Sequence, residues 1–149
     1  MRKVKVYAAS SWRNRFYDLS VSRLRNAGFD VYDFKADSGF QWSEIDKNWT
    51  GWTIAEYRSA LSHPLAVEGF RNDFTAMVNS DSCVLVMPAG RSACMETGWF
   101  WGNRKPFWIL APDPIEPDLM FKKAVDICTT EKWLISSMEN HFRANPLRS

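Results

Sequence analysis

The chain has 149 residues, 46% hydrophobic and 15% aromatic with eight tryptophans, and a formal net charge of +2. That length suits one domain with a full core, and the near balance of charge argues against duplex nucleic acid, which calls for a dense basic face. No apolar run is long enough to cross a membrane, and MRKVKVYAAS leads into a strand rather than a signal peptide.

In chain order, Val4 to Ala9 reads as a short buried strand, followed by the loop SSWRN. A helix from about Phe16 to Ala27 places Phe16, Leu19, Leu24 and Ala27 on one face and stops at Gly28. FDVYDF alternates as a second strand. Lys35 to Gly51 is a long irregular stretch with acids among aromatics, the composition of a functional loop rather than a disordered one. Thr53-Ile-Ala-Glu56 is a capping box opening a short helix, and Pro64 starts a longer one reaching about Asn79. Val67, Phe70, Phe74, Met77 and Val78 make its apolar stripe.

Ser82 to Met87 is the third strand, Ala93 to Gly102 a helix with Ser92 as its N-cap, and Phe107 to Leu110 a fourth strand. A proline-broken loop, APDPIEPD, precedes a helical Leu119 to Val125, a short Ile127-Cys128 strand and a last helix from Glu131 to Phe142. Strands alternating with helices indicate an open parallel sheet covered on both faces. Ligands then bind outside the carboxyl ends of the strands, where strand order reverses. The loops Ser10 to Asn14 and Pro88 to Ser92 leave such ends and are expected to share one crevice.

The chemistry is narrowed by what is scarce. Cys83, Cys94 and Cys128 are odd in number and widely spaced, a pattern of a reducing cytoplasm rather than a disulfide framework. His63 and His141 are the only histidines, and neither sits in a zinc or Ser-His-Asp motif. Catalysis is left to carboxylates or a thiol, with no metal and no organic cofactor.

Met87 to Gly98, MPAGRSACMETG, carries the strongest candidate. With Ser92 as N-cap, the next backbone N–H groups are open to an anion, and Glu96 lies one turn in with its side chain leaning back toward the loop. The helix dipole favours the ionised form by about 0.3 to 1 kcal/mol. An ionised carboxylate there suits a sugar whose anomeric carbon gains positive charge as its leaving group departs. The plainer reading is an acid placed in the helix for its dipole alone. Cys94, at a helix start, is either a thiolate nucleophile or a small buried thiol.

These segments resemble a known family. VYAASSWRN followed by VNSDSCVLVMPAGRSACMETGWFWGNRKP is similar to the nucleoside 2-deoxyribosyltransferases and the related 2'-deoxynucleoside 5'-phosphate N-hydrolases. The likeness covers Val4 to Pro106, and Glu96-Thr-Gly98 with its loop is its specific part. It implies a single flavodoxin-like (Rossmann-like) α/β domain over 1–149, with about five parallel strands and helices on both faces. The resemblance puts the nucleophile on Glu96, its tyrosine on Tyr7, the acid near the base on Asp73 and a helix-end acid on Asp81. SSWR resembles the Gly-Ser-Ile-Arg loop of the N-hydrolases, which puts Ser11 and Arg13 near a 5'-phosphate. PAGRSACME also resembles the Pro-to-Glu loop of phosphoribohydrolases that release cytokinin bases.

Two positions depart from the pattern. Gly90 stands where the family carries an acid or serine, so the sugar contact falls to Ser92 or is absent; Ser10 replaces a glycine. Trp42, Trp49 and Trp52 with Glu44 and Asp46 either wall off a nucleobase or pin the loop to the sheet. GWFWG is an apolar helix face broad enough to meet a second subunit, and the resembled families are oligomers. The expected activity is cleavage, by hydrolysis or transfer, of the N-glycosidic bond of a (deoxy)nucleoside or its 5'-monophosphate. A nucleotide-binding sensor without turnover and an NAD-cleaving glycohydrolase are the alternatives.

Overall fold

In the computed structural model, which describes residues 2–148, five strands form one parallel sheet. They are β1 (Lys5–Ala9), β2 (Asp30–Asp33), β3 (Ser82–Val86), β4 (Phe107–Leu110) and β5 (Ile127–Cys128), in the spatial order β2-β1-β3-β4-β5. This is the flavodoxin-like order, whose reversal lies between β1 and β3. The central strands are buried on both faces, which explains their unbroken apolar runs: every residue of β3 and β4 is buried.

Alternation along each strand sorts these side chains into two cores. Val6, Ala8, Val84, Val86, Trp108 and Leu110 face α1 (Tyr17–Asn26) and α5 (Glu131–Ala144). Trp108 is the largest fully buried side chain, and its indole Nε1 donates to Ser137 Oγ of α5 at 3.0 Å, so its one polar atom is satisfied. Tyr7, Ala9, Cys83, Leu85 and Ile109 face α3 (Pro64–Asn79) and α4 (Arg91–Gly102). A short α2 (Ile54–Ala60) is opened by the expected capping box of Thr53 and Glu56.

Helix orientations differ from the expected stripes. On α1 the buried face is Tyr17, Ser20, Val21 and Leu24, while Leu19 and Ala27 are exposed. The helix turns inward on Tyr17, whose hydroxyl donates to the Ala8 carbonyl at 3.3 Å. On α3 the buried residues are Ala66, Gly69 and Met77, and Asp73 shares their side. Val67, Phe70, Phe74 and Val78 face outward and are exposed, Phe70 by 69%. Small residues turned inward let α3 come close to the aromatic loop: a Cβ on Gly69 would stand 2.8 Å from Phe40 Cβ.

That loop is less irregular than its sequence suggests. It holds a π-helical turn (Phe34–Ser38) and two 3-10 turns (Trp42–Glu44 and Trp49–Gly51). Gly69→Ala gains roughly 1 kcal/mol of helix propensity. It loses about 1–3 kcal/mol to overpacking, because the clashing atom sits next to the Phe40 backbone and has little room to yield. The expected net result is a less stable protein with a displaced loop, read by urea unfolding and by tryptophan fluorescence.

Candidate functional site

A cavity of about 980 Å³ opens at the carboxyl ends of β1 and β3, at the reversal of strand order. The loops after these strands are tied together. Ser10 Oγ donates to the Val86 carbonyl at 2.8 Å. The buried Asn14 amide donates to Ser10 Oγ, to the Val86 carbonyl and to the Pro88 carbonyl at 2.9 to 3.1 Å, and its Oδ1 accepts from Phe16 N at 2.7 Å. Ser10 therefore has a structural task at the position where a glycine was expected. Asn14 was missed from sequence; a buried amide making four contacts can be found only once the two loops are known to meet.

The helix after β3 begins earlier than its sequence suggested. Its N-cap is Gly90, with no side-chain cap, and Arg91 rather than Ala93 is the first helical residue. Cys94 N already bonds to the Gly90 carbonyl at 3.2 Å, so the N–H groups with no intrahelical acceptor are those of Arg91, Ser92 and Ala93. Gly90 has no need to be glycine: its backbone is extended, and an added Cβ would meet nothing within 4 Å.

Glu96 is consequently in the second turn, where the helix dipole has faded. It reaches Tyr7 across 89 residues of sequence, and the Tyr7 hydroxyl donates to Glu96 Oε2. Burial dominates its titration. Burial pushes Glu96 up to about 7, the Tyr7 hydrogen bond pulls it back down, and the negative charge of Asp73 adds to the rise. The expected ionisation by the dipole is overridden by a buried, acidic neighbourhood. Tyr7 is raised above its usual range by burial first and then by Glu96 and Asp73, so it stays a donor. Asp73 accepts from Tyr32 Oη at 2.9 Å; burial raises it, against the opposing pull of Tyr32 and the nearby Ser38 hydroxyl.

Tyr7, Asp73 and Glu96 all line the cavity, as do Ser11, Arg13, Trp42, Gly90 and Ser92. Arg13 is exposed at the rim with no acidic partner among the described residues, and Arg91 joins it there. Trp49 also lines the cavity, but Trp52 does not. Trp52 Nε1 donates to Asp46 Oδ2 at 2.8 Å, and Glu44 Oε2 accepts from Gln41 N, so these acids shape the loop rather than face a ligand.

Asp81 needs correction. It lies at the opposite, amino end of the sheet, where Arg2 donates to both its oxygens at 2.7 and 2.8 Å and Lys5 N donates at 2.8 Å. Against burial, which would raise it, Arg2 and the Lys5 amide hold its carboxyl below the usual range. Asp81 is a structural clamp, remote from the cavity. Cys94 is exposed and outside the cavity lining, and partial burial followed by Asp118 pushes its thiol up, so the reading of a small buried thiol also fails.

The fold recurs in solved structures. A 2-deoxyribosyltransferase from the psychrotolerant bacterium Bacillus psychrosaccharolyticus superposes with a TM-score of 0.64 at 17% identity, over 89% of this chain and 90% of its own. A conserved protein from Enterococcus faecalis V583 does so with a TM-score of 0.62 at 12% identity, over 93% and 99%. The fold is shared with a 2-deoxyribosyltransferase. At these identities the likeness is one of architecture, and the roles of individual residues rest on the geometry above. No family model and no curated protein sequence matches the chain. Among the described residues no helix is long and apolar enough to cross a membrane, and no group of three His, Cys, Asp or Glu could hold a metal ion.

Proposed function

We propose that the protein cleaves the N-glycosidic bond of a (deoxy)nucleoside or nucleoside 5'-monophosphate, by hydrolysis or transfer, with Glu96 as nucleophile. The observation that carries this reading is a pair of half-buried carboxylates, Glu96 and Asp73, each held by its own tyrosine in one cavity at the strand ends. Ionised Glu96 attacks the anomeric carbon. The C–N bond breaks, its electron pair goes to the base, and the base takes a proton from Asp73. A water or acceptor hydroxyl then attacks the same carbon, gives its proton to Asp73 and releases Glu96. Tyr7 orients Glu96 and supports its charged form. Arg13, Ser11 and Ser92, with the open N–H groups after Gly90, hold the sugar or its phosphate. Trp42 offers a flat face to the base.

Metal and organic cofactors have no part in this scheme. The exposed Val67, Phe70 and Phe74 beside the cavity support self-association, and three free cysteines suit a reducing cytoplasm. The test is to incubate the protein with deoxynucleosides, ribonucleosides, their monophosphates and NAD, and to assay free base. Release of base from at least one nucleoside or its monophosphate is expected. The absence of a side chain at Gly90 favours the second reading, a sensor; tight binding with no release from any member of the panel would establish it instead.

The pH dependence follows from the same pair. The reactive form holds one proton on the pair, with Glu96 ionised and Asp73 protonated. In the free enzyme kcat/KM therefore rises at low pH as the pair loses its first proton, and falls as pH rises through about 7, where it loses the second. A bell-shaped profile is expected; a profile flat from pH 5 to 9 would contradict it.

A further inference from the structure

Two aromatic side chains from neighbouring strands stand side by side, one of them, Tyr7, on the lining of the cavity. Register pairs Tyr7 of β1 with Tyr32 of β2, and their rings stack with centroids 5.4 Å apart and planes 15° from parallel. Each phenol is committed to a different acid, Tyr7 to Glu96 and Tyr32 to Asp73. The acids come from two helices, α4 and α3, so neither helix by itself fixes their separation. The stacked tyrosines fix it by tying both carboxylates to one rigid pair of strands.

Beside Asp73 is Ser38, at the end of the π-helical turn and just before Gly39, whose positive φ of 70° sets the turn. Ser38 Oγ is fully enclosed and has no hydrogen-bond partner, alone in this among the buried side-chain polar atoms of the described residues. Ser38 also lines the cavity. That oxygen is sealed from the cavity's solvent, and its hydroxyl acts instead on Asp73, which it pulls down. Phe40, Gln41, Trp42 and Ser43 line the same cavity with neutral side chains, which suits a flat, uncharged heterocycle.

We propose that Tyr32 is the positioning residue that holds Asp73 for proton delivery to the leaving base, a neutral nitrogen heterocycle. This rests on the glycosidic reading above for its chemistry, but not for its geometry. Tyr32 occupies Asp73 Oδ1, which leaves Oδ2 to carry the proton. That proton passes to the base nitrogen as the nitrogen receives the electron pair of the broken C–N bond. The charged and titratable groups facing the cluster are Tyr7 from β1, Cys83 from β3, Asp37 from the π-helical turn, Glu96 and Arg91 from α4, and Arg13 from the first loop.

Carboxyl carbon-13 titration of the whole protein by NMR, without substrate, tests the positioning role. In Tyr32→Phe the ionised form of Asp73 loses a donor, so its midpoint rises. Glu96 then faces a neutral neighbour over more of the range, so its midpoint falls. Opposite shifts of the two acids are not produced by a merely structural change. Should that variant fail to fold, 3-fluorotyrosine at position 32 is a stronger donor in the same packing, and it moves Asp73 down and Glu96 up. With substrate, Tyr32→Phe lowers kcat about ten- to a hundredfold with KM little changed. Unchanged midpoints for Asp73 and Glu96 in folded Tyr32→Phe overturn the positioning role. A wild type that releases no base, yet shows the opposed midpoints, sinks the glycosidic reading and keeps the positioning.

Discussion

Glu96→Gln lowers the rate of base release by about a thousandfold or more, with nucleoside affinity changed less than about tenfold. The substitution keeps the shape of the side chain and an oxygen that can accept from Tyr7, so the cavity and its packing survive. What goes is the negative charge and the ability to bond to the anomeric carbon. Both matter only as the C–N bond breaks, so the loss falls on kcat rather than on binding. Asp73→Asn is expected to be milder, about a hundredfold, because a base with a good leaving nitrogen departs in part without an acid. Steady-state kinetics on the substrate found by the panel assay gives both numbers. Equal losses in kcat and in affinity would point to a collapsed site instead.

The same residue costs the fold stability. Glu96 titrates near 7 in the folded protein against a usual value of 4.5. Between these values the folded chain keeps a proton that the unfolded chain has already released. Stability is therefore complete below about pH 4.5 and declines as pH rises through 7, by about 3 kcal/mol in all. Glutamine cannot titrate, so Glu96→Gln is expected to match the wild type at pH 4.5 and to exceed it by up to about 3 kcal/mol at pH 8. Urea unfolding at the two pH values measures this. A gap that is the same at both would mean that Glu96 is not held in a desolvated site. The trade is a common one: a site that needs an uncomfortable charge is built at the expense of the fold.

Most of the sheet was legible from residue pattern, because strands buried on both faces must be apolar throughout and their boundaries fall at loops rich in Ser, Pro and Gly. Which way a helix faces was not. On α3 the apolar stripe of Val67, Phe70 and Phe74 is a real periodicity, yet Ala66, Gly69 and Met77 turn to the sheet. Periodicity shows that one side is apolar; it does not say that this side is the core rather than a cavity mouth or an interface. The same ambiguity hides Asp73, which shares the inward side with Ala66, Gly69 and Met77.

Caps and distant acids failed for related reasons. Ser92 is the better N-cap by composition, but the chain enters its helix at Gly90 and leaves Ser92 as the second helical residue. Asp81 follows a helix and precedes a strand, and local sequence does not distinguish the catalytic end of a sheet from the other. Its neighbours Arg2 and Lys5, almost eighty residues away, decide the matter. Glu96 and Tyr7 were singled out separately; that they share a hydrogen bond follows only from the adjacency of β1 and β3.

The most direct test follows the sugar. A single turnover with a nucleoside labelled in its sugar is stopped by acid while base is still being released, and the protein is digested and its peptides weighed. The account predicts base in solution and sugar attached to Glu96, absent from the Glu96→Gln protein. Base released with no sugar on that side chain, or with the label on Cys94, would contradict it.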